Sequence, residues 1–322
     1  MRIVSYTSDM QGKWDDFVRS SKNGNFLFQR GYMDYHADRF PDASLVVTDD
    51  DDRWLAILPA TRRDRLLTSH GGLTYGGFVT DSRMTVPTML RIFDATAAHL
   101  LEAGIEQVQY KVIPHIYHRL PAQEDLYALF RVNATLSRRD VAAALEPARP
   151  GPVQERRKRG LRKARRAGVE IRNGGDQIAA YWSILEQTLT QKHGVKPVHR
   201  LDEFVLLASR FPEQIVLHAA FLGAEMVAGV VVYLSESVAH AQYIAASEAG
   251  RELGALDLLF QTLINETYAG VRYFDFGIST EQGGRFLNSG LIEQKEGFGA
   301  RAVTYDHYTW SLEPRQFQEV SA

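Results

Sequence analysis

The chain has 322 residues, 45% of them hydrophobic and 24% charged, with a formal net charge of −2, a composition that suits two globular domains of typical size. No apolar run approaches the roughly 20 residues of a membrane helix, and the opening MRIVSYTSDMQGKWDDF turns polar too early for a signal peptide, so no membrane insertion and a cytoplasmic location are expected. The absence of cysteine excludes disulfides, thiolate nucleophiles and Cys-ligated zinc.

Short apolar runs alternate with longer helical patterns, which predicts mixed α and β structure. In the first half SLVVTD and WLAILPA read as strands flanking the acidic turn DDDDR. HGGLTYGGFV follows, then a helix around TMLRIFDATAAHLLEAG, the strand IEQVQYKVI and a short helix around EDLYALF. The second half repeats this order. IVLHAAFLG and MVAGVVVYL predict a hairpin, VAHAQYIAA a third strand, ALDLLFQTLINETYAG a helix, VRYFDFGI a strand and TEQGGRFLN a polar turn and helix. The helix-to-strand junctions LLEAGIEQVQYKVIP and ETYAGVRYFDFGIST align, which suggests two copies of one unit. The border falls at EPARPGPVQ, whose prolines and glycine cannot continue a helix or central strand, giving domains at 1–147 and 148–322.

The second half opens on a basic block, ERRKRGLRKARRAG, with eight Lys or Arg residues between 156 and 166. On a helix over 155–168, at about 100° per residue, Gly160, Leu161, Ala164 and Ala167 form one narrow stripe. The cations spread over the opposite half, except Arg157, and Gly168 is placed to end the helix. Most charge runs are solvated faces. This arc, however, is almost free of carboxylates, so its charges repel one another. Arg159, Arg162, Lys163 and Arg166 are therefore candidates to hold phosphates of a nucleotide-linked substrate or of RNA.

GRELGALDLLFQTLI follows a strand and starts a helix. Gly250 and Gly254 predict an open turn with free helical N–H groups for an anion, although glycines there are commonly plain loop punctuation. The strand VRYFDFGIST and the segment GRFLNSGLIEQKEGFGAR then bring Asp275, Arg285, Asn288 and Lys295 among several glycines, in the kind of loop that often carries a site.

The R-x-x-x-x-L-R-K-A-R-R-x-G-V helix, the G-A-L-D-L-L-F helix, the Y-F-D-F-G strand and the closing K-E-G-F-G together resemble the FemAB-like tandem GNAT-fold acyltransferases. This group is related to the Fem-type transferases that use aminoacyl-tRNA. The resemblance covers nearly the whole chain. It implies an α/β (α+β) fold of two tandem GNAT-like domains, each a mixed, largely antiparallel sheet flanked by helices. It also implies an acyl donor, an amine acceptor and no metal. GNAT enzymes hold the donor pyrophosphate on a turn written Q/R-x-x-G-x-G/A; by resemblance Arg251, Gly254 and Ala255 would bind coenzyme A. Leu256 departs from that pattern. Lys295 stands where Fem-type enzymes carry a lysine that stabilises the transition state.

Amide formation needs a neutral amine, an oriented ester or thioester, and donors where the oxyanion develops. No cysteine and no G-x-S-x-G elbow is present, so direct attack is the simpler path. Lys295 is the expected oxyanion donor, against a surface lysine paired with Glu296. Asp275, inside an apolar strand, would orient the amine or accept its proton, or else pair structurally. His240 is a candidate general base, and alternation predicts that it shares a face with Gln242 while Tyr243, a further catalytic candidate, points to the other. QKHGVKPVHR, with His193, Lys196, His199 and Arg200, reads as a loop closing over substrate. YKVIPHIYHR places His115 and His118 for acceptor contact or packing, and SHGGLTYGGF reads as a backbone-lined groove around Tyr75 or a flexible hairpin.

Three functions stay open on the residues. One is amide formation from acyl-CoA onto a small amine, such as a nucleotide-linked amino sugar. Another is transfer of an amino acid from aminoacyl-tRNA to a peptide, cell-wall precursor or small amine. The third is non-catalytic RNA or nucleotide binding on the same fold.

Overall fold

The computed structural model describes residues 1–193 and 197–313. It divides into two compact units, Met1–Asp140 with the described residues from Thr304 onward, and Val141–Val303. The division falls at 140/141 rather than in the proline-rich segment at 146–154. The reason lies in two strands. Thr135–Leu145 runs out of the first unit, and its last residues pair with the second (Phe274 against Leu145, Asp275 against Ala144). The closing strand, Arg301–Ser311, pairs from His307 onward with Gln107–Lys111 of the first unit. Each half of the sequence thus gives its final strand to the other unit, an exchange that a linear reading of composition does not reveal.

In the first unit, strands Arg2–Ser5, Leu45–Thr48, Trp54–Leu58 and Val79–Thr80 form one antiparallel sheet. Leu66–Thr68 runs parallel to Gln107–Lys111. The long helix Val86–Glu102 is capped by Thr85 and buries Met89, Ile92, Phe93 and Leu100. These pack on Val108, Tyr110 and Trp310 in one core. Tyr75 is buried here, its hydroxyl accepting from Asn25 at 2.9 Å and its ring against Tyr117 at 4.7 Å. Tyr75 of the expected groove at 69–78 is therefore packed interior, while Gly71 and Thr74 of the same segment are exposed.

Elements of the second unit are labelled in chain order: α1 (Glu155–Arg166), β1 (Val169–Asn173), α2 (Ile178–His193), α3 (Leu201–Arg210), β2 (Ile215–Leu222), β3 (Glu225–Leu234), β4 (Val238–Ala246), α4 (Glu248–Leu253), α5 (Ala255–Thr262), β5 (Tyr273–Ile278) and α6 (Ser289–Glu296). The strand order is β1-β2-β3-β4-β5, and then Val141–Leu145. All neighbours are antiparallel except β4 and β5. Strand β3, MVAGVVVYL, is buried on both faces, which suits its β-branched run. On one face Val230, Val232, Ala239, Ala241, Phe274 and Phe276 meet Leu259, Phe260 and Leu263. On the other, Trp182 of α2 and Phe204 of α3 lie against Tyr243.

Candidate active site

Strands β4 and β5 pair in parallel only over Val238–His240 against Tyr273–Asp275, yet β4 continues to Ala246 and β5 to Ile278. Where pairing stops, a pocket of about 160 Å³ opens. Its walls include Ile244, Ala245 and Ala246 of β4, Phe276 of β5, Leu256 and Phe260 of α5, and Phe298; Arg251 and Lys295 also line it.

At the last paired rung, Asp275 is fully buried. Its carboxylate lies 2.8 Å from His240 Nδ1 and accepts the Gly277 N–H at 2.9 Å. An ionised carboxylate can only accept, so Nδ1 carries the hydrogen and Nε2 is left as the basic nitrogen. Gly277 adopts φ 71°, and a Cβ there would stand 3.1 Å from His240 Cε1. Glycine lets the chain turn while the imidazole stays in place. On the far side of this turn Lys295, 4% exposed, donates from Nζ to Gly277 O at 2.8 Å and Ile278 O at 2.6 Å. An ammonium has three donors, so one remains. Burial pulls the Lys295 pKa down to about 8, and Asp275 opposes that fall. Lys295, Asp275 and His240, predicted separately from sequence, are thus gathered around one glycine.

Tyr243 does not join them. The alternation argument fails at a bulge: Ala241 pairs with Val232 and Tyr243 with Val231, leaving Gln242 as the extra residue. Because His240 pairs with Tyr233, two residues from Val231, His240 and Tyr243 occupy the same face. Tyr243 instead meets His199, with 2.5 Å between its hydroxyl and Nδ1. Both are buried, so the His199 side chain is an interior partner, although its neighbours Val198 and Arg200 are exposed. Lys196 and the His193 side chain lie outside the described residues.

The expected open turn at 250–256 is also corrected. Residues 248–253 form the short helix α4, capped by Ser247, whose hydroxyl takes the Gly250 N–H. The Gly254 N–H bonds to Arg251 O. Gly254 has φ 76°, and its Cα side abuts the Gly160 backbone of α1. Ala255 is buried beside Ala164. These small residues seat α5 on α1; of the three expected coenzyme A contacts only Arg251 lines the pocket. In the first turn of α5 the Asp257 carboxylate pairs with Arg157 at 2.8 Å. An acid therefore already occupies the helix N-terminus that would otherwise attract a phosphate.

That pair explains why Arg157 strays from the basic arc: it faces inward, over the Phe298 ring as well. The stripe behaves as expected. Ala164 is fully buried, Leu161 and Ala167 are partly so, and Gly168 ends the helix with φ 77°. Arg156 donates to Glu293 O and Lys158 pairs with Glu155. Arg159, Arg162, Lys163, Arg165 and Arg166 are exposed, with no ion pair among the described residues.

Asn288 is the N-cap of α6, accepting the Leu291 N–H and donating to Glu281, a structural position rather than a substrate contact. Arg285 is exposed outside the pocket lining. His118 is buried on Ile113 O in the first unit. Sequence reasoning missed the walls Phe260, Phe276 and Phe298; of these Phe276 stands in the YFDF run, next to Asp275. Among the described residues no group of three His, Cys, Asp or Glu is placed to hold a metal.

Residues 153–283 match the acetyltransferase (GNAT) domain family. No curated protein matches the sequence. In structure the chain is similar to FemX, with a TM-score of 0.68 at 10% identity over 97% of this chain and 98% of that one. It is similar to L-PGS from Bacillus licheniformis, with a TM-score of 0.61 at 13% identity over 95% and 93%. It is also similar to a conserved protein of unknown function from Bacteroides thetaiotaomicron, with a TM-score of 0.60 at 9% identity over 97% and 99%. The segment 153–283 thus carries the match to the acetyltransferase (GNAT) domain family, and the chain as a whole shares the fold of FemX.

Proposed function

We propose that the protein transfers an aminoacyl group from aminoacyl-tRNA to an amine, forming an amide without a covalent enzyme intermediate. The observation that carries the choice of donor is the turn at Ser247–Gly254. The Gly250 and Gly254 N–H groups are consumed within α4, and Asp257 stands in the next turn, so neither glycine offers an N–H to the pyrophosphate of coenzyme A. Five exposed cations of α1 offer phosphate contacts in its place. The resemblance to Fem-type transferases favours the same donor.

In the proposed step the amine nitrogen attacks the ester carbonyl carbon, and its proton passes to His240 Nε2. Asp275 fixes the ring and stabilises the imidazolium that forms. The remaining Lys295 N–H donates to the oxyanion. Collapse breaks the ester C–O bond, and the imidazolium returns the proton to the departing ribose oxygen.

Arg251 in the pocket lining supports a second reading, with acyl-CoA as donor. Calorimetric titration with coenzyme A, acetyl-coenzyme A and charged tRNA decides between them. Salt-sensitive tRNA binding without coenzyme A binding is the expected result; saturable coenzyme A binding lost in Arg251→Ala reverses the assignment.

A further inference from the structure

The pocket between β4 and β5 is walled by Ile244, Leu256, Phe260, Phe276, Leu291 and Phe298, with Lys295 beside them. Thr188, Arg251 and Gln294 complete its polar lining, which holds no carboxylate among the described residues. We infer that this pocket receives the side chain of the transferred group, and that this side chain is uncharged and apolar, of the leucyl or phenylalanyl class. The inference rests on the aminoacyl-transfer reading and names its substrate class.

Size and charge both point there. An apolar cavity of about 150 Å³ accommodates benzene, and this pocket measures about 160 Å³, room for a branched four-carbon chain or a phenyl ring. A lysyl or arginyl side chain would bring a cation beside Lys295 and Arg251 with no acid to meet it. A carboxylate would be desolvated by three phenyl rings, with two of the Lys295 donors already held by Gly277 O and Ile278 O and Arg251 donating to Ala246 O. Leu256 is the determinant legible in sequence. Where the GNAT turn has glycine or alanine, this chain places a half-buried leucine in the pocket wall.

The test uses the full chain and two sets of probes. The first is leucine, alanine, lysine and glutamate methyl esters, titrated by NMR. The second is 3′-aminoacylamino-3′-deoxyadenosines carrying the same four groups, titrated by calorimetry. The leucyl compound of each set should bind at least about tenfold more tightly than the alanyl one, the scale set by a few methylenes in an apolar pocket, and lysyl and glutamyl compounds more weakly still. Leu256→Trp should fill the pocket and remove the preference. Leu256→Ala, a second variant at the same half-buried position, should narrow the leucyl-over-alanyl margin. Equal binding of all four side chains, or a preference unchanged in both variants, overturns the inference even where tRNA binding stands. A leucyl preference among the esters, unimproved by attached adenosine, retains the apolar pocket and removes the tRNA donor.

Discussion

His240 and Asp275 face each other across the last paired rung of β4 and β5, with Nδ1 and Oδ2 2.8 Å apart. The carboxylate is fully enclosed while the imidazole side chain is 20% exposed, so the pair presents one basic nitrogen outward and holds its partner inside. Asp275→Asn preserves the shape but reverses the hydrogen-bond polarity at Nδ1. The expected result is a kcat lowered by about 10²–10⁴, the range of general acid–base catalysis, with KM little changed. His240→Gln should lower kcat by a similar factor, and the double variant should cost no more than either single one. Additive losses would show that the two residues do not act as a unit.

Lys295 supplies a pH signature. Burial lowers its pKa to about 8, so the ammonium is present below that pH and lost above it. If oxyanion stabilisation uses the charge, kcat falls as pH rises through about 8. Lys295→Arg keeps a cation at all accessible pH and should remove this alkaline limb. Lys295→Met should lower kcat by about 10²–10³ over the whole range, the cost of one oxyanion donor. An unchanged limb in Lys295→Arg would assign it to another group.

A different lysine governs stability in the first unit. Lys111 is buried, donates to Leu73 O, and has its pKa lowered to about 7 by burial, with Arg138 adding to the fall. The unfolded chain holds this proton up to the ordinary lysine value and the folded chain releases it near 7. Stability therefore rises with pH between about 7 and 10, by at most about 1.4 kcal/mol per unit. Denaturant midpoints of wild type and Lys111→Met across that window provide the check: in the variant the slope should vanish between about pH 7 and 8 and be reduced above that, where buried Lys295 still contributes.

The sequence made the elements of the second unit largely legible, and it marked Asp275 because an acid in an apolar strand demands a partner, without showing that Lys295 and His240 gather at the same turn. His240 was legible as a base, but its partner was not: nothing local to VAHAQYIAA shows that it pairs with a residue 35 positions away. The bulge at Gln242 was hidden for a related reason. One extra residue in a strand leaves the hydrophobic pattern readable in either register, and only the partner strand decides between them. The glycines of the 250–256 segment misled because their small size serves helix seating, a requirement that comes from Gly160 in a different part of the chain. The exchanged final strands were invisible, since each looks locally like the end of its own half.

Arg157 and Asp257 test the division of labour within the basic helix. Asp257 is pushed up by burial and held down by Arg157, so removing the arginine leaves an acid with its counter-charge gone. Arg157→Ala should destabilise by about 1–3 kcal/mol, the cost of removing one partner of a half-buried charged hydrogen bond. Arg157→Ala with Asp257→Asn should recover much of that loss, because no charge is then stranded. Chemical denaturation of the four proteins measures the coupling. A loss undiminished in the double variant would place the contribution of Arg157 in its packing on Phe298.

Arg159, Arg162 and Lys163 are the complementary case. They are exposed, so their replacement by Gln should leave stability within about 0.5 kcal/mol. Their proposed work is with phosphates, and phosphate neutralisation has its own signature: log K falls linearly with log salt, by about 0.7 per contact on single strands and about 0.9 on duplex. Titrating charged tRNA at several salt concentrations should give a slope reduced by about 2–3 in the triple variant, with the lines converging as salt rises. The order of side-chain preference at the pocket should remain, because phosphate contacts position a ligand without specifying it. A triple variant with wild-type slope would mean that these cations face solvent in the working complex, and that tRNA, where it binds, does so elsewhere on the chain.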